Sequence, residues 1–292
     1  MKNSSLIATG INGLVGSRFA QLYSQKYQIT PLDLSHPRNP VDITNYEQVL
    51  QAFEYSPAEV VIHLAAFTNV DAAWKQKGNK DGVAYQVNVV GTSNIIKACQ
   101  LTEKHLIHIS TAYVFDGTSD DLYTEDDLPN PIEWYGQTKW EAEQLVMNSE
   151  ISWSILRIDQ PFRPDQFEKK DVAHKIIEHL QADTLSPQFT NQYFGPTYID
   201  DFAKVLDFFT RTKTSGLFHA SSGEKWTPYE FALLLKDTLH LPGEVKEGDL
   251  EEYLKTLNRP YQKNTALNCN KIKNVVDFQF EKIEEAIKKI KF

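Results

Sequence analysis

The sequence predicts an α/β chain built on a doubly wound parallel sheet, with a smaller C-terminal domain appended, and three observations predict it. From residue 5 to about 220, short β-rich apolar runs alternate with longer segments of helical period, the pattern of a parallel sheet covered on both faces. The first run enters a loop with glycines at positions 10, 13 and 16 that opens into a helical segment. The chain has 292 residues, more than a typical single domain holds, and sheets of this kind often carry a second, smaller domain.

Taken in order, strands are expected at 5–9 (SLIAT), 27–33 (YQITPLD), 59–64 (EVVIHL), 105–110 (HLIHIS), 152–158 (SWSILRI) and 216–220 (GLFHA), short apolar runs of strand length. Between them, apolar residues at helical spacing predict helices at 14–25, 44–55, 81–101, 131–149 and 200–212. Thr44 and Glu47 stand in capping-box spacing at the head of the second helix. Asp200 and Asp201 precede the fifth and are expected to cap it. Beyond residue 158 the alternation loosens into RPDQFEKKDVAH, a polar stretch, then TPYEFALLLKDTLH and a lysine-rich helical pattern from near Glu281. This divides the chain into a large domain over 1–160, to which 196–223 return, and a smaller domain mainly over 161–292.

Composition narrows the function classes. Hydrophobic residues make up 41% and aromatics 12%, enough for packed cores, while no stretch approaches the ~20 apolar residues of a membrane span. The N-terminal segment lacks a basic region followed by an apolar run and cleavage site, so no secretory signal is expected. The two cysteines, Cys99 and Cys269, lie far apart without metal-ligand spacing. They imply neither a disulfide framework nor a metal site, and a reducing cytoplasm is the simplest setting. A net charge of −9 argues against nucleic acid as a partner, because phosphate contacts need a basic face.

The glycine loop has the strand–loop–helix context of a dinucleotide-binding Rossmann fold. Gly10 permits a tight turn, Gly13 lets backbone approach a diphosphate, and Gly16 lets helix and strand pack closely, with the diphosphate at the helix N-terminus. The spacing is GxxGxxG rather than GxGxxG. Asp33 closes the second strand where a carboxylate would take adenosine ribose hydroxyls and repel a 2′-phosphate. His36 and Arg38 follow, either able to meet such a phosphate or simply to sit in a solvated loop. Both NAD(H) and NADP(H) therefore stay open.

Tyr135 and Lys139 are four residues apart in WYGQTKWEAE and project from one helix face. Reducing a carbonyl requires a proton for oxygen as hydride reaches carbon, and a tyrosine is too weak an acid near neutrality unless a cation assists it. YxxxK alone is weak, since the spacing recurs by chance on helix surfaces. The strand HLIHIS ends in Thr111, and catalytic side chains gather at the carboxyl ends of parallel strands. The Thr111 hydroxyl could share the charge developing on the carbonyl oxygen, or merely cap backbone. Ser110 is less suited. His63, His105 and His108 lie in or beside apolar strands and read as packed histidines, and Trp134 and Trp140 read as core.

These residues, with HLAAFTNVD at 63–71, YQVNVVGT at 85–92, STAYVFDG at 110–117 and YGQTK at 135–139, resemble dTDP-4-dehydrorhamnose reductases, extended short-chain dehydrogenases/reductases that handle sugar nucleotides. The resemblance is good over roughly 5–160 and thins to matches such as FGPTYIDDFAK at 194–204. It implies reduction of a 4-keto group on a nucleotide-linked deoxysugar by NADH or NADPH, with Thr111, Tyr135 and Lys139 catalytic. The implied cofactor site comprises Gly10, Asn12, Gly13, Leu14, Val15, Gly16, Asp33, Asp42, Ile43, Ala65 and Ala66, joined by Tyr135 and Lys139. Thr68, Ala112 and Tyr113 fall in the implied substrate site, within a smaller C-terminal substrate-binding domain's reach, and Asn88 matches an asparagine that supports the active site. A homodimer is compatible with this resemblance.

Three departures stand out. Ala112 replaces the family's usual Asp beside the substrate, RIDQPF at 157–162 replaces an aromatic and glycine-bearing turn, and WKQKGNKDG resembles an insertion. A sugar-nucleotide 4-epimerase would use the same fold and Tyr/Lys pair. A dehydratase would need an acid and base that Thr111-Ala112-Tyr113 does not offer. A non-catalytic dinucleotide-binding subunit, as in methionine adenosyltransferase, is the alternative outside enzymology, and the intact Thr/Tyr/Lys set argues against it.

Overall fold

A computed structural model describes residues 4–38 and 40–292. The chain runs β1 (Ser4–Thr9), α1 (Leu14–Tyr23), β2 (Tyr27–Leu32), α2 (Tyr46–Glu54), β3 (Val60–His63), α3 (Val70–Trp74), α4 (Val83–Tyr85), α5 (Thr92–Thr102), β4 (His105–Thr111), α6 (Trp134–Met147) and β5 (Trp153–Ile158). It continues through β6 (Pro161–Phe162), α7 (Val172–Gln181), β7 (Gln188–Phe189), β8 (Thr197–Tyr198), α8 (Ile199–Thr212) and β9 (Gly216–His219). The last elements are α9 (Pro228–Leu239), β10 (Glu247–Gly248), α10 (Leu250–Leu254), α11 (Asn270–Lys273) and α12 (Ile283–Ile287).

Six parallel strands form the main sheet in the order β2-β1-β3-β4-β5-β9, and they are the six expected from the sequence, with ends displaced by a residue or so. Strict alternation explains the two covered faces. Leu6, Ala8, Ile62, Ile107, Ile109 and Leu156 point into one buried cluster, which α1 and α8 complete with Phe19, Phe202 and Phe209. Ile7, Val61, Leu106 and Ile155 point the other way, onto Val49 and Phe53 of α2, Ile95 and Cys99 of α5 and Val146 of α6. The direction of winding reverses between β1 and β3, and the crevice outside that reversal is where open sheets of this kind bind ligands.

A third buried cluster joins Phe162, Ile176, Leu180, Phe194, Phe231, Leu235, Ile283 and Ile287, chiefly from α7, α9 and α12. Leu267, Cys269 and Ile272 instead pack with the α1/α8 face of the sheet. Among the described residues no helix is long and apolar enough to cross a membrane.

Several local expectations need correction. Asn45, not Thr44, caps α2 by accepting from the Gln48 amide at 3.1 Å, because Thr44 is turned onto Asp42, its hydroxyl donating to Oδ1 at 2.8 Å. Asp200 and Asp201 do not precede α8 but lie in its first turn. There Asp200 accepts from Arg18 Nε at 2.6 Å, and Asp201 accepts from Lys204 and the Glu281 amide. The helix expected over 81–101 is broken into α4, a π-turn at Gln86–Gly91 and α5, an insertion that accompanies functional sites. A full capping box, unremarked in the sequence, opens α9 between Thr227 and Glu230.

Candidate active site

A cleft of about 960 Å³ opens along the carboxyl ends of β1, β3, β4 and β5. Its floor at β1 is the glycine loop. Gly10 has φ +63°, and a Cβ there would sit 2.6 Å from the Ala65 amide nitrogen, so the turn and the adjoining β3 chain exclude every other residue. Gly16 is tied as closely, since a Cβ would lie 2.7 Å from the Ile11 Cα. Gly13 is the N-cap of α1 and offers no side chain to its first amides. Those donors therefore face the cleft, a cradle that fits the diphosphate of a dinucleotide. At the tip of β2, the Asp33 carboxylate accepts from the Asn12 amide at 3.0 Å and from Ser35 Oγ at 2.7 Å. Leu34 and Ser35 continue the lining, whereas among the described residues His36 and Arg38 do not belong to it.

Behind the loop, Thr9 and His63, paired at the ends of β1 and β3, lock the crossing. The Ala65 amide donates to Thr9 Oγ1 at 3.1 Å, which lies 2.7 Å from His63 Nδ1. Thr92 donates to the Asn88 carbonyl at 2.7 Å, so its oxygen must accept from His63 Nε2, 3.0 Å away. This makes Nε2 the protonated nitrogen and Nδ1 the acceptor. Burial, aided by the charge of Lys139, pushes His63 down to about 3, consistent with that neutral ring.

The Thr111, Tyr135 and Lys139 side chains converge from β4 and α6 on one end of the cleft. Thr111 does cap backbone, accepting from the Tyr113 amide at 3.2 Å, and its hydroxyl neighbours the Tyr135 phenol. Burial raises Tyr135 far above the usual phenol range; the neighbouring Thr111 hydroxyl opposes this, while Glu133 and Asp159 add to it. Lys139 donates to the Ile109 carbonyl at 2.8 Å and lies 3.5 Å from His108 Nε2. Burial pushes it down to about 8. The lysine is thus anchored on β4, and the direct ammonium assistance to Tyr135 expected from the sequence is not what sets the phenol here.

Two features hold Tyr135 in place. Glu133 caps α6, accepting from the amides of Tyr135 at 2.7 Å and Gly136 at 2.5 Å. Asn88, on the π-turn, accepts from the Phe67 amide at 2.8 Å and donates to Thr138 Oγ1 at 2.9 Å. Thr138 in turn donates to the Tyr135 carbonyl at 2.8 Å. One asparagine thereby joins the cleft wall at Phe67 to the tyrosine helix.

Of the residues singled out for cofactor and substrate, Gly10, Asn12, Gly13, Leu14, Val15, Gly16, Asp33, Asp42, Ile43, Ala65, Ala66, Thr68, Tyr113 and the Thr111/Tyr135/Lys139 set all line this cleft. Ala112 does not. It heads a tight 3-10 turn at Ala112–Val114 that directs its methyl into the sheet core with Val114 and Phe115, which corrects its assignment to the substrate pocket. The plain readings of His63, His105, His108 and Trp134 agree with their burial, and Trp140 packs partly buried on the sheet core.

Sequence reasoning passed over two carboxyl groups and one wall. Asp159, one residue past β5, is buried and lines the cleft; burial pushes it up to about 7 against the hydrogen bonds from Thr265 and Gly195. Glu133 is likewise raised by burial, to about 7. Their position at a strand's carboxyl end and immediately before the tyrosine helix was the available signal. The wall is Phe167–Val172 with Lys175, where Lys169 donates to Thr68 Oγ1 at 2.9 Å across the cleft.

Comparison with known proteins gives a consistent picture. The RmlD substrate binding domain family matches residues 4–291. A dTDP-4-dehydrorhamnose reductase from Aggregatibacter actinomycetemcomitans is 28% identical, covering 98% of each chain. Methionine adenosyltransferase 2 subunit beta from Xenopus tropicalis is 27% identical over 92% of this chain and 81% of its own. The crystal structure of dTDP-4-dehydrorhamnose reductase from Bacillus anthracis str. Ames in complex with NADP superposes with a TM-score of 0.88 at 27% identity, covering 99% of this chain and 98% of that one.

Proposed function

The chain belongs to the RmlD substrate binding domain family, and from that premise we propose that it is an NAD(P)H-dependent reductase of a 4-keto group on a nucleotide-linked deoxysugar. The observation that carries this reading is the convergence of Thr111, Tyr135 and Lys139 on the same cleft as the uncapped N-terminus of α1. The likeness to an NADP-bound reductase supports a nicotinamide dinucleotide as the cofactor. Residues 1–160 with 196–223 would hold it, and 161–292 would supply most of the sugar's surroundings. Both cysteines are buried thiols, which suits a reducing cytoplasm.

Bound in this cleft, the reduced nicotinamide supplies a hydride to the carbonyl carbon. The chain's own residues manage the oxygen. Tyr135, kept protonated by burial, holds its proton until negative charge accumulates on the carbonyl oxygen and then donates it. Thr111 shares that charge through its hydroxyl, pre-placed by the Tyr113 amide. Lys139 would take the nicotinamide ribose while fixing α6 to β4.

The likeness to methionine adenosyltransferase 2 subunit beta supports a second reading, a dinucleotide-binding subunit without turnover. Mixing the protein with NADH or NADPH and dTDP-4-keto-6-deoxy-sugar separates the two. Sugar-dependent loss of nicotinamide absorbance is expected; dinucleotide binding without such loss would favour the subunit reading.

A further inference from the structure

Asp159 has one oxygen committed and one uncommitted. Oδ2 accepts from the Gly195 amide at 2.9 Å and from Thr265 Oγ1 at 2.7 Å. Among the described residues Oδ1 finds no hydrogen-bond donor, although the residue is only 2% exposed and lines the cleft that Tyr135 and Thr111 share. A buried acceptor left without a donor carries the full cost of its lost hydration. Among the described residues no cation sits against it either, since the influences on its ionisation are burial and neutral neighbours alone. The next residue, Gln160, also lines the cleft and holds φ +36°, a strained backbone for a side-chain-bearing residue of the kind that clusters at ligand sites. Both residues belong to RIDQPF, the segment where this chain departs from its family's usual turn.

Resting on the reading of the cleft as a sugar-nucleotide site, we propose that Asp159 is a specificity-determining residue whose Oδ1 accepts a hydrogen bond from a hydroxyl on the bound hexose ring. The two donors on Oδ2 hold the carboxylate in one rotamer, so Oδ1 is the oxygen left over for a ligand in the adjoining cleft. In its ionised form this acceptor binds a hydroxyl more strongly than a neutral amide does, and a sugar lacking a hydroxyl there leaves the charge unsatisfied. Discrimination between hexoses follows from that penalty.

The test is calorimetric binding to the NADPH-loaded protein at about pH 8, above the value of about 7 to which burial raises the carboxyl, comparing dTDP-glucose with dTDP and UDP-glucose with UDP, in the parent, Asp159→Asn and Asp159→Ala. Asparagine can keep its oxygen on Gly195 and Thr265 and turns a donor toward the sugar, so the fold is retained. The affinity gained from the glucosyl group should fall about fivefold or more in Asp159→Asn and vanish in Asp159→Ala, with dTDP, UDP and NADPH binding unchanged in Asp159→Asn. An undiminished glucosyl gain in both variants, or no gain in the parent with either carrier, overturns the proposal. Because binding requires no turnover, a protein that shows the gain but oxidises no NAD(P)H would refute the reductase reading and leave Asp159 in place. Parallel loss of nucleotide and cofactor binding in Asp159→Asn would assign the residue a structural role and overturn the proposal too.

Discussion

Lys139 Nζ donates to the Ile109 carbonyl at 2.8 Å, so the cation of the Tyr/Lys pair is bound to the central strand rather than to the phenol four residues before it. Its charge is lost as pH rises through about 8, the position to which burial lowers it. A nicotinamide ribose held by the ammonium would lose its donor over the same range. We expect kcat/KM for the dinucleotide to decline above about pH 8, and Lys139→Met to lower it by ~10² with a flat residual profile. A Lys139→Met enzyme that keeps the alkaline decline would assign it to another group.

Tyr135→Phe removes a hydroxyl and leaves the ring, which meets Tyr113 edge-on at 5.8 Å between centroids. The loss of a positioned proton donor should cut kcat by at least ~10². Dinucleotide affinity, measured by fluorescence titration, should stay within about twofold, because the substitution leaves the glycine loop and the Lys139 anchor untouched. Normal turnover would remove Tyr135 from the chemistry.

Gly136 is needed for space rather than for its backbone freedom. A Cβ there would overlap the Tyr113 carbonyl and approach Glu133 Oε1 to 2.7 Å. Gly136→Ala must therefore push α6 away from the turn after β4, separating Thr111 from Tyr135. The expected result is a loss of roughly 2–4 kcal/mol in denaturant unfolding together with reduced activity. An alanine variant of unchanged stability would mean that the two elements are less tightly packed than they stand.

How far the sequence reveals this arrangement depends on periodicity. The six sheet strands are legible because Leu6/Ala8 and Ile7, or Ile107/Ile109 and Leu106, alternate between two apolar faces. The π-turn at Gln86–Gly91 is not, since one inserted residue barely disturbs an apolar pattern, and its cause is a distant one, the Asn88 bonds to Phe67 and Thr138. Thr111, Tyr135 and Lys139 are legible from motif and strand-end position together. Asp159 and Glu133 are not, because a carboxylate in sequence looks like surface, and only the fold reveals its burial. The wall at Phe167–Val172 carries no period and was invisible for that reason.

Asp33 has two tasks, and its replacement should show both. Its carboxylate accepts from the Asn12 amide and from Ser35, which shapes the loop beside the glycines, and its charge opposes a 2′-phosphate. Asp33→Ala is expected to narrow the NADH-over-NADPH ratio of kcat/KM or reverse it, and also to weaken binding of both dinucleotides by several-fold as Asn12 loses its tether. An unchanged ratio would move the selection to Ser35, whose hydroxyl Asn12 Nδ2 contacts at 2.9 Å.

Asp159 should also leave a mark on the pH dependence of folding. Its ordinary value, 3.8, rises to about 7 in the folded protein, chiefly through burial. The native state therefore keeps a proton that the unfolded chain releases between those two values. Stability contributed by the protonated carboxyl is complete below about pH 4 and is lost progressively as pH rises to about 7, beyond which the loss is constant. The difference in pKa corresponds to ~4 kcal/mol in all, of which ~3 kcal/mol falls between about pH 5 and pH 8. Asp159→Asn does not titrate, and the other groups around the site, including Glu133, titrate equally in both proteins and cancel. Urea unfolding should consequently show the asparagine variant gaining on the parent by ~3 kcal/mol from about pH 5 to pH 8. Curves that stay parallel across that interval would place the Asp159 carboxyl in contact with water or a cation in solution.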